Sequence, residues 1–169
     1  MDQLQNDANA SVSPMETSPA ARGIALDAFV PYLLNQVTNR LNRRMQNHLR
    51  NYRVSVPQWR VLCLLTVHGP QSIGTIANNT VIAQSTLSRV VDQLERRALV
   101  ERRLRPNNNR VVEVHLTKEG RAIFQRILPA ALSVRDELID ALSEAEQRQL
   151  THILSKLFQS LQGKVSAHA

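Results

Sequence analysis

Gln84, Ser85, Thr86, Ser88 and Arg89 follow one another closely, and their side chains share one kind of chemistry. An amide can bracket the N6/N7 edge of an adenine, a guanidinium the O6/N7 edge of a guanine, and a hydroxyl can serve a base or a phosphate. Downstream, Arg102, Arg103, Arg105 and Arg110 surround Pro106-Asn107-Asn108-Asn109, so cations crowd a segment whose residue types favour a tight turn. Arginine presents a planar fork of donors that matches phosphate oxygens. No nucleophile–base pair, no paired carboxylates and no glycine-rich phosphate loop occur, so the chain reads as a non-enzyme. The chemistry on offer is recognition of a duplex.

These groups act only if the chain holds them out at a useful spacing. Leu87, Val90, Val91 and Leu94 recur at helical steps and leave Gln84, Ser85, Ser88, Arg89, Asp92 and Arg96 on the other face of a helix over about 84–97. Ser72 caps a short preceding helix carrying Ile73, Ile76 and Ala77, with Asn78-Asn79-Thr80 as the turn between the two. A strand runs from Leu99-Val100 to about Arg105. Pro106 to Asn109 form a hairpin tip, and Val111 to Leu116 alternate as a half-exposed return strand. Alternation puts Arg103 and Arg105 on one face and Arg102 on the other. A helix-turn-helix followed at once by a basic ribbon suits the major groove with its helix and the adjacent minor groove with its tip.

Longer helices flank this unit. Leu26, Phe29, Val30, Leu33, Leu34, Val37, Leu41 and Met45 make one apolar stripe over about 25–50, and Pro31 moves the start toward Val30. Ser55 and Gln58 form a capping box, with Val54 and Trp59 as its hydrophobic staple, before a helix ended by Gly69-Pro70. Thr117 caps a long helix whose apolar positions run from Ile123 to Leu142, with Pro129 inside it. Ser143 to Glu146 form a second capping box before a last helix with Leu150, Ile153, Leu154, Leu157, Phe158 and Leu161. The first and last helices carry more apolar surface than the central unit can cover. At roughly 25 cal/mol per Å², an uncovered patch of several hundred Å² drives self-association. The expectation is a homodimer whose two reading helices stand about one DNA turn, roughly 34 Å, apart, to suit palindromic half-sites.

Composition agrees. In 169 residues, 43% are apolar and 4% aromatic, which suits an α-rich core, and the net charge of +7 favours a polyanionic partner. The cations are 18 Arg and 3 Lys. GC-rich codon usage explains such an excess as readily as function does, so position carries more than number. Arg40, Arg43, Arg44, Arg50, Arg53 and Arg60 lie in a stretch without an acid. From Arg89 to Arg110, seven arginines against three acids leave +4, whereas Arg135 to Leu150 carry −3. Cys63 is the single cysteine, so no internal disulfide forms. Residues 1–23 read as a disordered polar tail rather than a secretory signal, and no apolar run is long enough to span a membrane. Together these suggest a cytoplasmic, nucleoid-associated bacterial protein. The five histidines show no metal-ligand spacing, so no metal and no cofactor are expected.

The order VPQWRVLCLL, STLSRVVDQLERRALVERR, VVEVHLTKEG and LSEAEQRQLTHILSKL resembles the MarR family of bacterial transcriptional regulators over roughly residues 28–161. The resemblance implies a mainly α fold with a small β-wing: a winged helix-turn-helix DNA-binding domain over 54–117 and a helical dimerisation region over 24–53 and 118–162. It further implies a homodimeric repressor released from a pseudo-palindromic operator by a small aromatic or phenolic acid. The alternative is a DNA-binding regulator or architectural protein with no small-molecule switch. The expected DNA-binding residues are Ser72, Gln84, Ser85, Thr86, Ser88, Arg89, Arg96, Arg103, Arg105, Asn108 and Arg110. Arg110 matches the family's wing arginine, but Asn108 stands where an Asp usually braces it. Ala83 stands where a Ser or Asp cap is common, and Ala98 where a Gly is common. An effector site between the helical region and the winged unit would draw on Asn39, Arg43, His48, Tyr52, Trp59, Arg60 and Cys63. Trp59 also reads as a core staple, and Cys63 as buried packing.

Overall fold

The computed structural model describes residues 25–106 and 108–165, without the side chains of 109 and 162–165; the tail expected over 1–23 lies outside the described residues. The chain divides into two units, Met1–Val37 and Thr38–Ala169. In the first, a turn precedes the start of helix α1 (Val30–Arg50), and Leu26, Phe29, Val30, Leu33, Leu34 and Val37 are exposed. The late start agrees with the effect of Pro31, which is tolerated only in the first turn.

The second unit carries the rest. After α1 come α2 (Val56–His68), β1 (Gln71–Ser72), α3 (Ile73–Thr80), α4 (Gln84–Arg96), β2 (Val100–Arg105), β3 (Asn108–Leu116), α5 (Lys118–Ile139) and α6 (Glu144–Val165). The strands form an antiparallel sheet in the order β1-β3-β2. Leu49, Val61, Leu62, Ile76, Leu87, Leu94, Val100, Val114 and Ile127 are fully buried in one core to which α1, α2, α3, α4, both wing strands and α5 contribute. Leu, Ile and Val supply nearly all of it, consistent with the scarcity of aromatics. Trp59 is the exception: it stacks on Phe124 of α5 with ring centroids 5.1 Å apart.

Helix ends follow their capping chemistry. Ser55 Oγ accepts from Gln58 N–H, and Gln58 Oε1 accepts from Ser55 N–H at 2.9 Å. Ser143 and Glu146 repeat the box at α6, where the Ser143 hydroxyl and backbone N–H hold the Glu146 carboxyl below the usual carboxylate range. Thr117 Oγ1 accepts from Gly120 N–H at 2.9 Å and donates to Ala98 O at 2.7 Å, while Thr117 N–H donates to Leu99 O at 3.2 Å. The start of α5 is thereby pinned to the α4–β2 corner. Gly120 is buried there so closely that a Cβ would stand 2.0 Å from Leu99 O.

Four expectations change. The turn before α4 is not at Asn78–Thr80: α3 continues to Thr80, because Asn79 Nδ2 donates to Thr75 O at 2.9 Å and Thr80 Oγ1 to Ile76 O at 2.7 Å, which keeps these polar residues on helical backbone. Val81, in the left-handed region at φ 55°, ends the helix instead. The hairpin tip is shorter than Pro106 to Asn109, since β3 already begins at Asn108; a register irregularity between Leu104 and Arg105 brings Arg105 opposite Asn108. The long fifth helix stops at Ile139, short of Leu142, where Gln147 Nε2 donates to the Ile139 and Leu142 carbonyls and closes the turn into α6. Strand β1 was not expected, because two residues carry no alternation to read.

Candidate nucleic-acid interface

Helix α4 turns Leu87, Val90, Val91 and Leu94 into the core and leaves Gln84, Ser85, Thr86, Arg89, Gln93 and Arg96 exposed. At 3.6 residues per turn, Ser85, Arg89 and Arg96 fall along its outermost line. Ser88 is half-buried and its hydroxyl donates to Gln84 O at 3.1 Å, which leaves its oxygen as an acceptor. Ala83 at the N-cap provides no side-chain bond, so the first N–H groups of α4 stay open at the end that carries Gln84, Ser85 and Thr86. Ser72 has another task as well: it is half-buried, caps α3 by accepting from Thr75 N–H at 3.2 Å, and pairs with Glu113 in the sheet.

The two faces of the wing differ in charge and in role. Arg102 points back to α4, where its guanidinium meets Asp92 Oδ1 at 2.6 Å and also pairs with Glu95. Partial burial works against its charge, but the hydrogen bonds and charges of Asp92 and Glu95 outweigh it and raise its pKa above the ordinary guanidinium value. Both acids of α4 are thus occupied in bracing the wing. On the other face, Arg103 pairs with Glu101, and Arg105 Nε meets Glu113 Oε1 at 2.7 Å. The arginines of these pairs are well exposed, and exposed pairs contribute only about 0–1 kcal/mol, so a phosphate can compete for them. Arg110 is exposed, and its side chain has no partner among the described residues. Asn108 Oδ1 accepts from the Arg110 backbone N–H at 3.1 Å, so Asn108 shapes the backbone and leaves the guanidinium available. Asn107 lies outside the described residues.

Sequence candidates for an effector separate. Trp59, Arg60 and Cys63 line an open pocket of about 690 Å³, together with Thr38, His68, Thr80 and Val81. Arg60 Nη2 donates to Asn42 Oδ1 at 3.2 Å. Burial pushes the Cys63 thiol up to about 12, against a smaller lowering by a backbone hydrogen bond, so it is a packing group rather than a thiolate. Asn39, Arg43, His48 and Tyr52 do not line this pocket. The first three are exposed along α1, and Tyr52 packs against α5, where its hydroxyl donates to Arg126 O at 3.1 Å and the Arg126 guanidinium lies 5.6 Å from its ring centroid. Thr80 and Val81 were missed because a turn placed three residues too early hid their position beside α2.

The MarR family profile matches residues 54–112, the segment from the start of α2 through the wing. The transcriptional repressor IacR of Pseudomonas putida is 27% identical over 85% of this chain and 86% of its own length. A MarR-family regulator from Silicibacter pomeroyi superposes with a TM-score of 0.74 at 29% identity, covering 81% of this chain and 92% of that one. Bordetella bronchiseptica BpsR, whose structure concerns regulation of DNA binding by 6-hydroxynicotinic acid, gives 0.69 at 28% identity over 76% of this chain and 97% of its own. With α4 and the wing built as described and flanked by helices on both sides, the chain carries over residues 54–112 the winged helix-turn-helix of the MarR family of transcriptional regulators.

Proposed function

We propose that the chain is a homodimeric repressor that seats α4 of each protomer in the major groove of a pseudo-palindromic operator, with Arg110 in the adjacent minor groove. The observation that carries this reading is the exposed Arg110 guanidinium, without a partner among the described residues, near the tip of a wing braced through Arg102. The remaining sequence candidates on α4 and the wing, Gln84, Ser85, Thr86, Ser88, Arg89, Arg96, Arg103, Arg105 and Asn108, supply base-edge and phosphate contacts around it. Dimerisation follows from Leu150, Ile153, Leu154, Leu157, Phe158 and Leu161, which are all exposed on α6. A strip of this kind favours a second copy.

A small aromatic or phenolic acid acts as effector in the pocket between α2 and the α3–α4 turn. Trp59 and Leu64 give apolar walls, Arg60 the cationic edge, His68 a further hydrogen-bonding group, and Val81 the link to α4. The regulation of BpsR by an aromatic acid supports this choice of ligand class. To empty an operator the acid must prefer the released form by several kcal/mol. The protein works in the cytoplasm, on the nucleoid. The test is selection of a preferred genomic fragment, then titration of that complex with hydroxylated aromatic acids at fixed salt. Release by one of them, abolished by Arg60→Gln, is the expected result. A complex indifferent to every acid, at concentrations that saturate related regulators, removes the effector from the reading.

A further inference from the structure

Gln93 and Glu95 lie on opposite flanks of α4, since two residues of a helix are about 200° apart. Glu95 is tied to the wing through Arg102, whereas Gln93 Oε1 accepts from Gln58 Nε2 at 2.9 Å. The flank away from the wing therefore belongs to the start of α2 and the α1–α2 corner. A shallow pocket of about 280 Å³ opens there, lined by Arg53, Gln58, Gln93, Arg96 and Arg97 without a carboxylate. Arg97 fixes the corner by donating to the carbonyls of Tyr52 and Arg53, and Arg53 holds a φ of 53°. Arg53 and Arg96 are exposed, and among the described residues no hydrogen bond or ion pair engages either guanidinium. The two acids of α4, Asp92 and Glu95, are both committed to Arg102.

A helix is about 10–12 Å across and the major groove about 12 Å wide, so a helix seated in the groove meets a phosphate wall on each side. The wing crosses one strand to reach the minor groove. We propose that Arg53 and Arg96 form a second phosphate grip, on the flank of α4 opposite the wing, that takes the backbone of the other strand. This grip rests on the DNA-binding reading above. Its chemistry is that of point contacts to a phosphodiester, so it adds affinity uniformly across sequences and strengthens the salt dependence.

The test uses the full-length protein carrying Arg53→Gln and Arg96→Gln together, the corresponding pair of lysine replacements, and Arg110→Ala for the wing. Each is titrated on its preferred fragment over a range of salt. The glutamine pair is expected to flatten the slope of log K against log [salt] by about 0.9 for each phosphate it no longer neutralises, and the lysine pair to restore it. Neutral methylphosphonates placed singly along each strand then locate the gripped phosphate. One position on the strand not touched by the wing should weaken the unaltered protein several-fold and leave the glutamine pair unaffected. An unchanged slope in a glutamine pair that still melts cooperatively would overturn the grip. So would a flattened slope with no such position, which would assign the arginines to a diffuse field or a free anion. If the unaltered protein prefers no fragment at all, the DNA-binding reading itself fails; if only Arg110→Ala loses slope, that reading stands and the corner does not.

Discussion

Replacing Gly120 by Ala sets two effects of opposite sign against each other at one atom. Alanine is the better helix former by about 0.5–1 kcal/mol, and position 120 lies in the first turns of α5. Against this, the new Cβ would stand 2.0 Å from Leu99 O and 2.8 Å from Leu116 Cδ1. A comfortable C···O contact is about 3.3 Å, so α5 and the α4–β2 corner must separate by about 1 Å. Neither side can yield by rotating a side chain: Leu99 O belongs to the backbone and accepts from Thr117 N–H at 3.2 Å. Overpacking typically costs about 1–3 kcal/mol, and a backbone clash belongs at the upper end, so the net loss should be about 1–2 kcal/mol. Gly74 is the control. It lies in α3 with nothing nearer than Ser72 Oγ at 4.0 Å, and there Ala should gain up to about 1 kcal/mol. Urea unfolding at one fixed protein concentration separates the two, because it holds constant any contribution of self-association to stability. The midpoint should fall for Gly120→Ala and rise for Gly74→Ala at constant m-value, and the melting temperature of the former should drop by roughly 2–8 °C. A Gly120→Ala protein as stable as the original would show that α5 does not press on Leu99 as described.

Arg102→Gln should loosen the wing from α4, seen as faster amide exchange in β2 and β3, with a stability loss of about 1 kcal/mol because the pairs are partly solvated. Exchange limited to the hairpin tip would contradict the brace. Val81→Asn should stabilise by about 1 kcal/mol, because a β-branched residue at a φ of 55° is strained where Asn is tolerated; an unaltered melting temperature tells against that strain. Cys63 should resist a disulfide reagent at pH 8 until the protein is unfolded, given a thiol pushed up to about 12. Because folding raises this pKa, the contribution of the protonated thiol is complete below the unfolded value of about 8.5 and is lost as pH rises toward 12. Stability should therefore fall more steeply in that alkaline window than in a Cys63→Ala protein, and parallel curves would count against it.

Helix α4 and the wing were legible because their signals are local. Leu87, Val90, Val91 and Leu94 fix one face of α4, and strand alternation alone separated Arg102 from Arg103 and Arg105. The caps at Ser55, Thr117 and Ser143 were readable for the same reason. The turn before α4 was not. Asn78, Asn79 and Thr80 have the composition of a turn, yet the side chains of Asn79 and Thr80 bond back to carbonyls four residues earlier and prolong α3. The pocket was only half legible: Trp59, Arg60 and Cys63 share a helix, but their facing partners come from a corner whose position depends on where that turn falls. Tyr52 shows the converse, an aromatic beside cations whose hydroxyl and ring are both taken up by α5. The grip at Arg53 was hidden because its cations come from segments over 40 residues apart, Arg53 and Arg96.

Strand β1 is only Gln71–Ser72, yet Ser72 belongs to two assemblies at once. Through its backbone it stands opposite Glu113 of the return strand, and through its hydroxyl it starts α3. A tilt of the ribbon therefore bears on the supporting helix through this serine, as a lever acts through its fulcrum. A protein in which the ribbon swings freely would need that serine to let go of one load or the other.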